Sequence, residues 1–208
     1  MGGRPGDIQR FYADAWLAPP PLDGVGAKLQ PGFLFRFLAE PSPVRPWLAV
    51  RMPRFRLAPD QASTLVRWFA AEAGRPAPFR QLSVGPITPQ RAAMAATFFA
   101  GLKCVTCHML KTGSGVKTAD LAPDLALARE RLDPDWIRRF LVDPNEMLPG
   151  TRMPLFFPEG QSPSPELLGG DSKAQIDLLV DHLMHLGLQP SGRPDHDPAV
   201  EPGAPESP

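Results

Sequence analysis

The sequence lacks features that mark several large classes of protein. No run of about 20 apolar residues occurs, so we expect no transmembrane helix. Residues 1–16 also lack the apolar core of a signal peptide. The 22 Lys and Arg residues are balanced by 22 Asp and Glu residues, and nothing resembles a nucleic-acid-binding surface. Cysteine is scarce, with two in 208 residues.

Proline and glycine are abundant instead. The chain contains 28 prolines and 18 glycines beside an ordinary hydrophobic content of 43%. This composition predicts many short elements joined by loops. A chain of 208 residues is expected to form one or two domains.

Both cysteines lie in one motif, Cys104-Val105-Thr106-Cys107-His108. A C-x-x-C-H string is typical of c-type haem attachment. Its two thiols can bond one edge of a flat macrocycle while the adjacent imidazole faces the iron. Because no other cysteine exists, the sequence predicts a single covalently attached haem c.

The sequence also contains an internal repeat. Residues 20–41 match 123–144 at an offset of 103 positions, and Arg51-Met52-Pro53 then matches Arg152-Met153-Pro154. A repeat of this length predicts two copies of one structural unit. The first copy has no attachment motif, so either it has lost its covalent haem or a preceding chain supplied that haem.

The predicted elements are mainly helical. Helices are expected from Pro31 to before Pro41, over roughly 59–73 with Gly74 closing, from Thr88-Pro89 through Leu102, from Asp133-Pro134 to Pro144, and over 172–188. The last of these carries Ile176, Leu179, Val180, Leu183 and Leu186 on one face, and Trp136, Ile137, Phe140 and Leu141 are expected to point inward. A further first helix is indicated by the spacing of Ile8, Phe11, Tyr12, Ala15 and Trp16.

These elements suggest four regions. Residues 1–74 form a degenerate repeat, 75–87 a linker, 88–188 the haem-bearing unit, and 189–208 a disordered Pro-rich tail. Residues 157–170 are predicted to be a loop.

A c-type haem usually needs a sixth ligand, and Met153 is the preferred candidate. It lies in the loop Pro149-Gly150-Thr151-Arg152-Met153-Pro154, which can present a thioether opposite His108. Met147 is an alternative, whereas Met109 is too close to His108 to cross the ring. A second histidine, His182 or His185, would give bis-His ligation. Pro123 is placed to orient His108 through its carbonyl.

Residues 88–188 resemble a class I c-type cytochrome domain. The resemblance is based on a helix before CxxCH, a proline after it, a middle helix, a Met loop and a last helix. It implies thioether bonds at Cys104 and Cys107, with His108 as proximal and Met153 as distal iron ligand. It also implies that Phe98 or Phe99 packs near Leu179 and Leu183.

The first copy resembles the haemless or second unit of multidomain bacterial cytochromes c. The resemblance is carried by RPWLAVRMPRF at 45–55 and by the helix that follows. It covers the methionine side of the domain and fails on the cysteine side. Met52 is therefore expected to be a packed remnant rather than a ligand.

The resemblance implies one-electron transfer, as a carrier or relay subunit of a respiratory or dehydrogenase system, and no catalytic residues are expected. Donor and acceptor proteins, or a larger membrane-associated electron-transfer complex, are the expected partners. The alternative is a haem enzyme or gas sensor with a displaceable sixth ligand. Haem c is attached outside the bacterial cytoplasm, so we expect a periplasmic or equivalent location, and the chain as a mature form, a truncated gene model or a piece of a larger protein.

Two other interpretations use the same cysteines. A structural zinc module would combine them with His182 and His185, although H-x2-H is shorter than the usual spacing. A thioredoxin-like redox pair needs a βαβ context that the sequence does not indicate.

Several charged or aromatic residues have more than one interpretation. Arg45, Arg51, Arg54 and Arg56 fall within twelve positions that contain no acidic residue. They form a solvated face, a docking patch for an acidic partner, or a clamp on haem propionates. Arg152 and Trp136 are further candidates for a propionate contact.

Overall fold

The computed structural model describes residues 22–45, 51–75, 79, 82, 84–108 and 122–186. The predicted first helix and the Pro-rich tail lie outside these residues. Within them the fold is mainly helical and contains no strand, only two isolated bridges. Every described helix is too short or too polar to span a bilayer.

The described helices occur in the following order: α1 Val25–Lys28, α2 Pro31–Ala39, α3 Pro59–Glu72, α4 Pro89–Gly101, α5 Ala128–Arg131, α6 Pro134–Val142, α7 Pro144–Met147 and α8 Ser172–His185. The five predicted longer helices are present. The four-residue helices α1, α5 and α7 were not predicted. Residues 157–170, predicted to be a plain loop, contain two short 3-10 turns, Pro158–Gly160 and Leu167–Gly170.

Proline and short polar side chains define where the helices begin. Five helices start with proline, whose missing N–H is not needed in the first turn. Thr88 caps α4 by accepting from Arg91 N, and Asp133 caps α6 by accepting from Asp135 N and Trp136 N. These local signals explain why the helix starts were predictable.

The two copies of the repeat share one arrangement of helices. We call residues 22–75 the first unit and 84–186 the second unit. Helices α1 and α5 each have four residues, and α2 and α6 each have nine, all at the predicted offset of 103 (128 − 25 and 134 − 31). In the first unit α1 and α2 pack against α3, and in the second α5 and α6 pack against α8.

Each unit has its own hydrophobic core. The first core consists of Leu34, Leu38, Ala62, Val66 and Phe69. The second is larger because α4 adds to it, and it includes Phe98, Phe99, Ile137, Leu141, Ile176, Leu179 and Leu183. The predicted packing of α4 on α8 is therefore present. Phe140 is only half-buried, lying flat on Trp136 with the ring centroids 4.7 Å apart.

The units meet through residues that are equivalent in the repeat. Leu29 and Leu132 form an antiparallel bridge. Gln30 N donates to the Arg131 carbonyl, and Asp133 N donates to the Lys28 carbonyl, each at 2.9 Å. This exchange of equivalent hydrogen bonds is what a two-fold axis produces. The contacts of α1 with α6 and of α2 with α5 obey the same relation.

Candidate functional site

The attachment motif follows α4 directly. Helix α4 ends at Gly101, and Lys103 takes a left-handed conformation with φ 55° before the 3-10 turn Cys104–Thr106. The backbone N–H of His108 donates to the Cys104 carbonyl at 3.0 Å. The turn therefore holds both cysteines and the histidine in one compact segment at the end of a helix that buries one face, with Ala95, Phe98 and Phe99.

The two cysteines differ in their surroundings. Cys104 is half-buried and packs against the second core, whereas Cys107 is exposed. Both thiols are free, and no disulfide joins them. Burial raises the pKa of the Cys104 thiol, which disfavours the reactive thiolate form. This arrangement gives no support to a redox pair or an activated nucleophile.

Pro123 contacts the ring of His108, as the sequence predicts. Its Nδ1 lies 2.8 Å from the Pro123 carbonyl oxygen. A carbonyl can only accept, so Nδ1 carries the proton and the lone pair of the neutral ring is on Nε2. Ala122 N donates to the Cys107 carbonyl at 2.9 Å and brings Pro123 alongside the motif. The ring is thus oriented as a metal-ligating histidine requires.

The electrostatics of His108 favour the neutral ring. Burial lowers the pKa of His108, and the Pro123 hydrogen bond and the charge of Asp124 oppose that shift. A neutral imidazole is the form that binds a metal.

Met153 lies in a different loop from the CxxCH motif. Its backbone N–H donates to Thr151 Oγ1 at 3.3 Å, and Gly150 supplies the left-handed turn before it with φ 81°. The half-buried side chain packs against the second core, as Cys104 does. The structure therefore gathers Cys104, Cys107, His108 and Pro123 together and sets Met153 against the same core.

The zinc alternative does not match the positions of the histidines. His182 packs on Phe99, with ring centroids 4.6 Å apart. His185 is bonded through both ring nitrogens, to the carbonyls of Asp181 and Gly85. Among the described residues, which include both cysteines and both histidines, no group of three or more His, Cys, Asp or Glu side chains could hold a metal ion. Cys2His2 coordination is therefore excluded for this arrangement.

Met52 does not pack as expected. Its side chain is 36% exposed and lies outside the first core, so the expectation of a packed remnant is wrong. The repeat preserves the Arg-Met-Pro sequence, but α4 and the attachment turn, which accompany Met153 in the second unit, have no counterpart among the described residues of the first.

The arginine-rich segment is exposed. Arg45, Arg51, Arg54 and Arg56 are all at the surface, and Arg54 pairs loosely with Glu40 at 3.6 Å. Trp136, in contrast, is buried in the second core beneath Lys28, whose Nζ lies 4.8 Å from the ring centroid. The interpretation of the arginines as a solvated face agrees with their exposure.

Sequence analysis missed a pair of half-buried cations at the junction of the units. Burial lowers the pKa of Lys28 to about 8 and that of Arg131 to about 10, with Arg45 adding repulsion to both. Arg131 Nε is buried without a hydrogen-bond partner in the described part of the chain. The repeat offset, which aligns Lys28 with Arg131, was the only sequence signal that could have paired them.

A cavity of about 360 Å³ lies between α6 and α8. Its lining includes Val142, Phe157 and Ile176, and none of the predicted site residues.

No protein-family model, curated protein or solved structure matches this chain. The assignment of a function therefore depends on the residues and their geometry.

Proposed function

We propose that this chain transfers single electrons through one c-type haem, attached at Cys104 and Cys107 and ligated by His108 and Met153. The observation that carries the proposal is the contact of His108 Nδ1 with the Pro123 carbonyl at 2.8 Å, within a C-x-x-C-H motif. The haem would supply an iron that alternates between Fe(II) and Fe(III).

The residues present suit a haem and not a bare metal ion. Two cysteines and one histidine on a single turn, with Cys104 against an apolar core and Cys107 exposed, suit a flat group with one edge toward solvent. The described residues contain no carboxylate or histidine cluster that would complete the coordination of a bare ion.

His108 and Met153 have distinct roles in this proposal. His108 offers Nε2, and Pro123 fixes its tautomer and orientation. Met153 offers a soft, neutral thioether, which favours Fe(II) and raises the reduction potential. The apolar residues around Cys104 and Met153 would exclude water from the iron.

The proposed biological role is that of a carrier or relay subunit in a respiratory or dehydrogenase system, located outside the cytoplasm. It needs no catalytic side chain, because the chemistry is electron transfer alone. Its donor and acceptor would bind through small, weak interfaces, as is usual for redox encounters.

The test is production of the full chain in cells with a c-type haem maturation system. A haem-stained band on a denaturing gel, lost in the Cys104→Ser/Cys107→Ser variant, would support covalent attachment. A low-spin spectrum with the red charge-transfer feature of Met–Fe(III) should disappear in Met153→Ala. It should persist in Met147→Ala, a matched control because Met147 is also half-buried against the second core.

Two results would contradict this function. A high-spin, ligand-binding spectrum in the unmodified chain would favour the haem enzyme or gas sensor. Absence of covalent haem would refute the proposal and make metal analysis the next measurement.

A further inference from the structure

Three cations come together at the junction of the two units. Lys28 ends α1, Arg131 ends α5, and Arg45 follows α2 in the chain. Lys28 and Arg131 are half-buried, whereas Arg45 is exposed. The charge of Arg45 acts on both of the other cations, and the charge of Arg131 acts on Lys28. Positive charge is therefore concentrated where the units meet.

The backbone explains why two of these cations are close together. Leu29 and Leu132 pair in an antiparallel bridge. Lys28 and Arg131 immediately precede these two residues, and such diagonal neighbours lie about 7–8 Å apart, within reach of two long side chains. The Lys28 ammonium is positioned further by Trp136, since its Nζ lies 4.8 Å from the centroid of the indole ring. The pairing of the two units thus sets the spacing of the two cations.

The acidic side chains on either side of Arg131 are engaged elsewhere. Glu130 binds Arg36 at 2.7 Å, and Asp133 binds Arg75 at 2.8 Å. No ion pair in the described part of the chain includes any of the three junction cations. Charges that are withdrawn from water are costly unless an opposite charge pairs with them. An anion bound at the junction would therefore be stabilised by all three cations.

Arg131 also has an unused hydrogen-bond donor. Its Nε is buried and has no partner among the described residues. Buried donors in folded proteins are nearly always bonded, so an unpaired donor is a candidate contact for a ligand. A guanidinium can bond an oxyanion through two parallel N–H groups, which adds geometric specificity to the attraction of the charges. An oxyanion would thus supply both the acceptor and the negative charge that this group requires.

We propose that Lys28, Arg131 and Arg45 bind a dissolved oxyanion of the phosphate class at the junction of the units. A doubly charged ion offsets most of the charge of the three cations, and its oxygens accept from the guanidinium and the ammonium. Arg45 is exposed and changes rotamer readily, so it can admit the ion to the half-buried pair. Because Lys28 and Arg131 belong to different units, the bound ion connects the units.

Isothermal titration calorimetry with inorganic phosphate tests the proposal. The full chain is used with its haem attached, and sodium chloride keeps the ionic strength constant. We expect saturable binding of one phosphate per chain. The affinity should fall about tenfold or more in Lys28→Met and in Arg131→Met, because each loses a charged hydrogen bond. Lys173→Met is the matched control, since it removes the same charge from an exposed lysine and should retain full affinity.

Three results of this titration would overturn the proposal. The first is the absence of saturable binding to the unmodified chain. The second is an equal loss of affinity in Lys28→Met and Lys173→Met, which would show that phosphate responds to net charge alone. The third is binding to the Cys104→Ser/Cys107→Ser variant but not to the haem-loaded chain. The carboxylates of the haem, and not a dissolved ion, would then occupy the junction.

A second measurement avoids destabilised variants by using the unmodified chain. The Lys28 ammonium is followed by nuclear magnetic resonance in lysine-labelled protein, with Lys28→Arg used only to assign its signal. A bound anion stabilises the protonated form, so the pKa of Lys28 should rise above about 8 when phosphate replaces chloride. An unchanged pKa at a high phosphate concentration would refute the contact. Neither measurement involves electron transfer, so this proposal and the proposed function can fail independently.

Discussion

In the first unit α1 and α2 pack against α3, and in the second α5 and α6 pack against α8. The units differ in what surrounds this shared arrangement. The second unit adds α4, the CxxCH turn and the 157–170 segment, whose end binds Gln175 of α8 through the Leu167 carbonyl. The three helices that each unit packs together therefore form a scaffold. The proposed chemistry depends on the segments that the second unit adds to this scaffold.

The junction of the units shows how equivalent positions have diverged. Residues 28 and 131 are both half-buried cations, while residues 30 and 133 perform different tasks. Gln30 donates its side-chain amide to the carbonyls of Arg129 and Leu132 in the other unit. Asp133 caps its own helix and binds Arg75 of the first unit at 2.8 Å.

The largest expected difference concerns the two Arg-Met-Pro methionines. With haem attached as proposed, Met153→Ala should lower the reduction potential by about 0.1 V or more, since axial ligation is a main determinant of haem potentials. Met52→Ala, at an exposed side chain, should leave it unchanged. Potentiometric titration of the three proteins checks this. A comparable fall in the reduction potential of Met52→Ala would contradict the expected difference between the two methionines.

The next effect concerns how closely the helices approach. A Cβ on Gly26 of α1 would lie 1.9 Å from the Phe69 carbonyl oxygen of α3, so Gly26→Ala should reduce the free energy of unfolding by about 3 kcal/mol. The equivalent residue in α5 is Arg129, whose guanidinium donates to the Met184 carbonyl at 3.0 Å. Arg129→Ala should cost only about 1 kcal/mol. Urea unfolding followed by circular dichroism measures the free energy of unfolding of both variants. Equal losses in the two variants would contradict the closer approach of α1 to α3 than of α5 to α8.

Asp133→Ala tests the junction. It removes the cap of α6 and the partner of Arg75, so the expected loss in unfolding free energy is about 2 kcal/mol. Asp133→Asn should recover the part due to the cap, because its side-chain oxygen can still accept from the helix. Gln30→Ala, at the equivalent position, should cost about 1 kcal/mol. Chemical denaturation measures the free energy of unfolding of the three variants. If Asp133→Asn loses as much stability as Asp133→Ala, the whole effect belongs to the ion pair and none to the helix cap.

The last prediction is a pH dependence that belongs to one unit. Burial lowers the pKa of Lys28 from 10.5 to about 8, so between about pH 8 and 10.5 the unfolded chain binds more protons than the folded chain. Stability contributed by this group therefore rises with pH across that window. The equivalent Arg131, with a pKa of about 10, stays charged over most of it.

The measurement is the difference between the urea midpoints of the unmodified chain and Lys28→Met at pH 8 and at pH 10. The unmodified chain should gain stability relative to the variant as the pH rises. A difference that is independent of pH would show that the Lys28 ammonium is solvated rather than held over Trp136 near the charge of Arg131.

Local signals in the sequence predicted much of the fold. Thr88-Pro89 and Asp133-Pro134 placed two helix starts correctly, because a cap and a proline act within one turn. The short helices α1 and α5 were missed, since four residues carry too little periodicity to be recognised. The exposure of Met52 was missed as well, because it depends on which elements cover the first unit.

The attachment motif, the repeat with its offset of 103 and the prolines that start the helices can all be recognised without a structure. These features depend on covalent spacing or on contacts within one turn. Tertiary packing, in contrast, brings the Pro123 carbonyl to His108, fifteen positions away, and pairs residues 28–30 with 131–133. The same packing places His182 against Phe99, with ring centroids 4.6 Å apart. Such contacts join segments far apart in the chain, and their energy comes from packing and burial that no local pattern encodes.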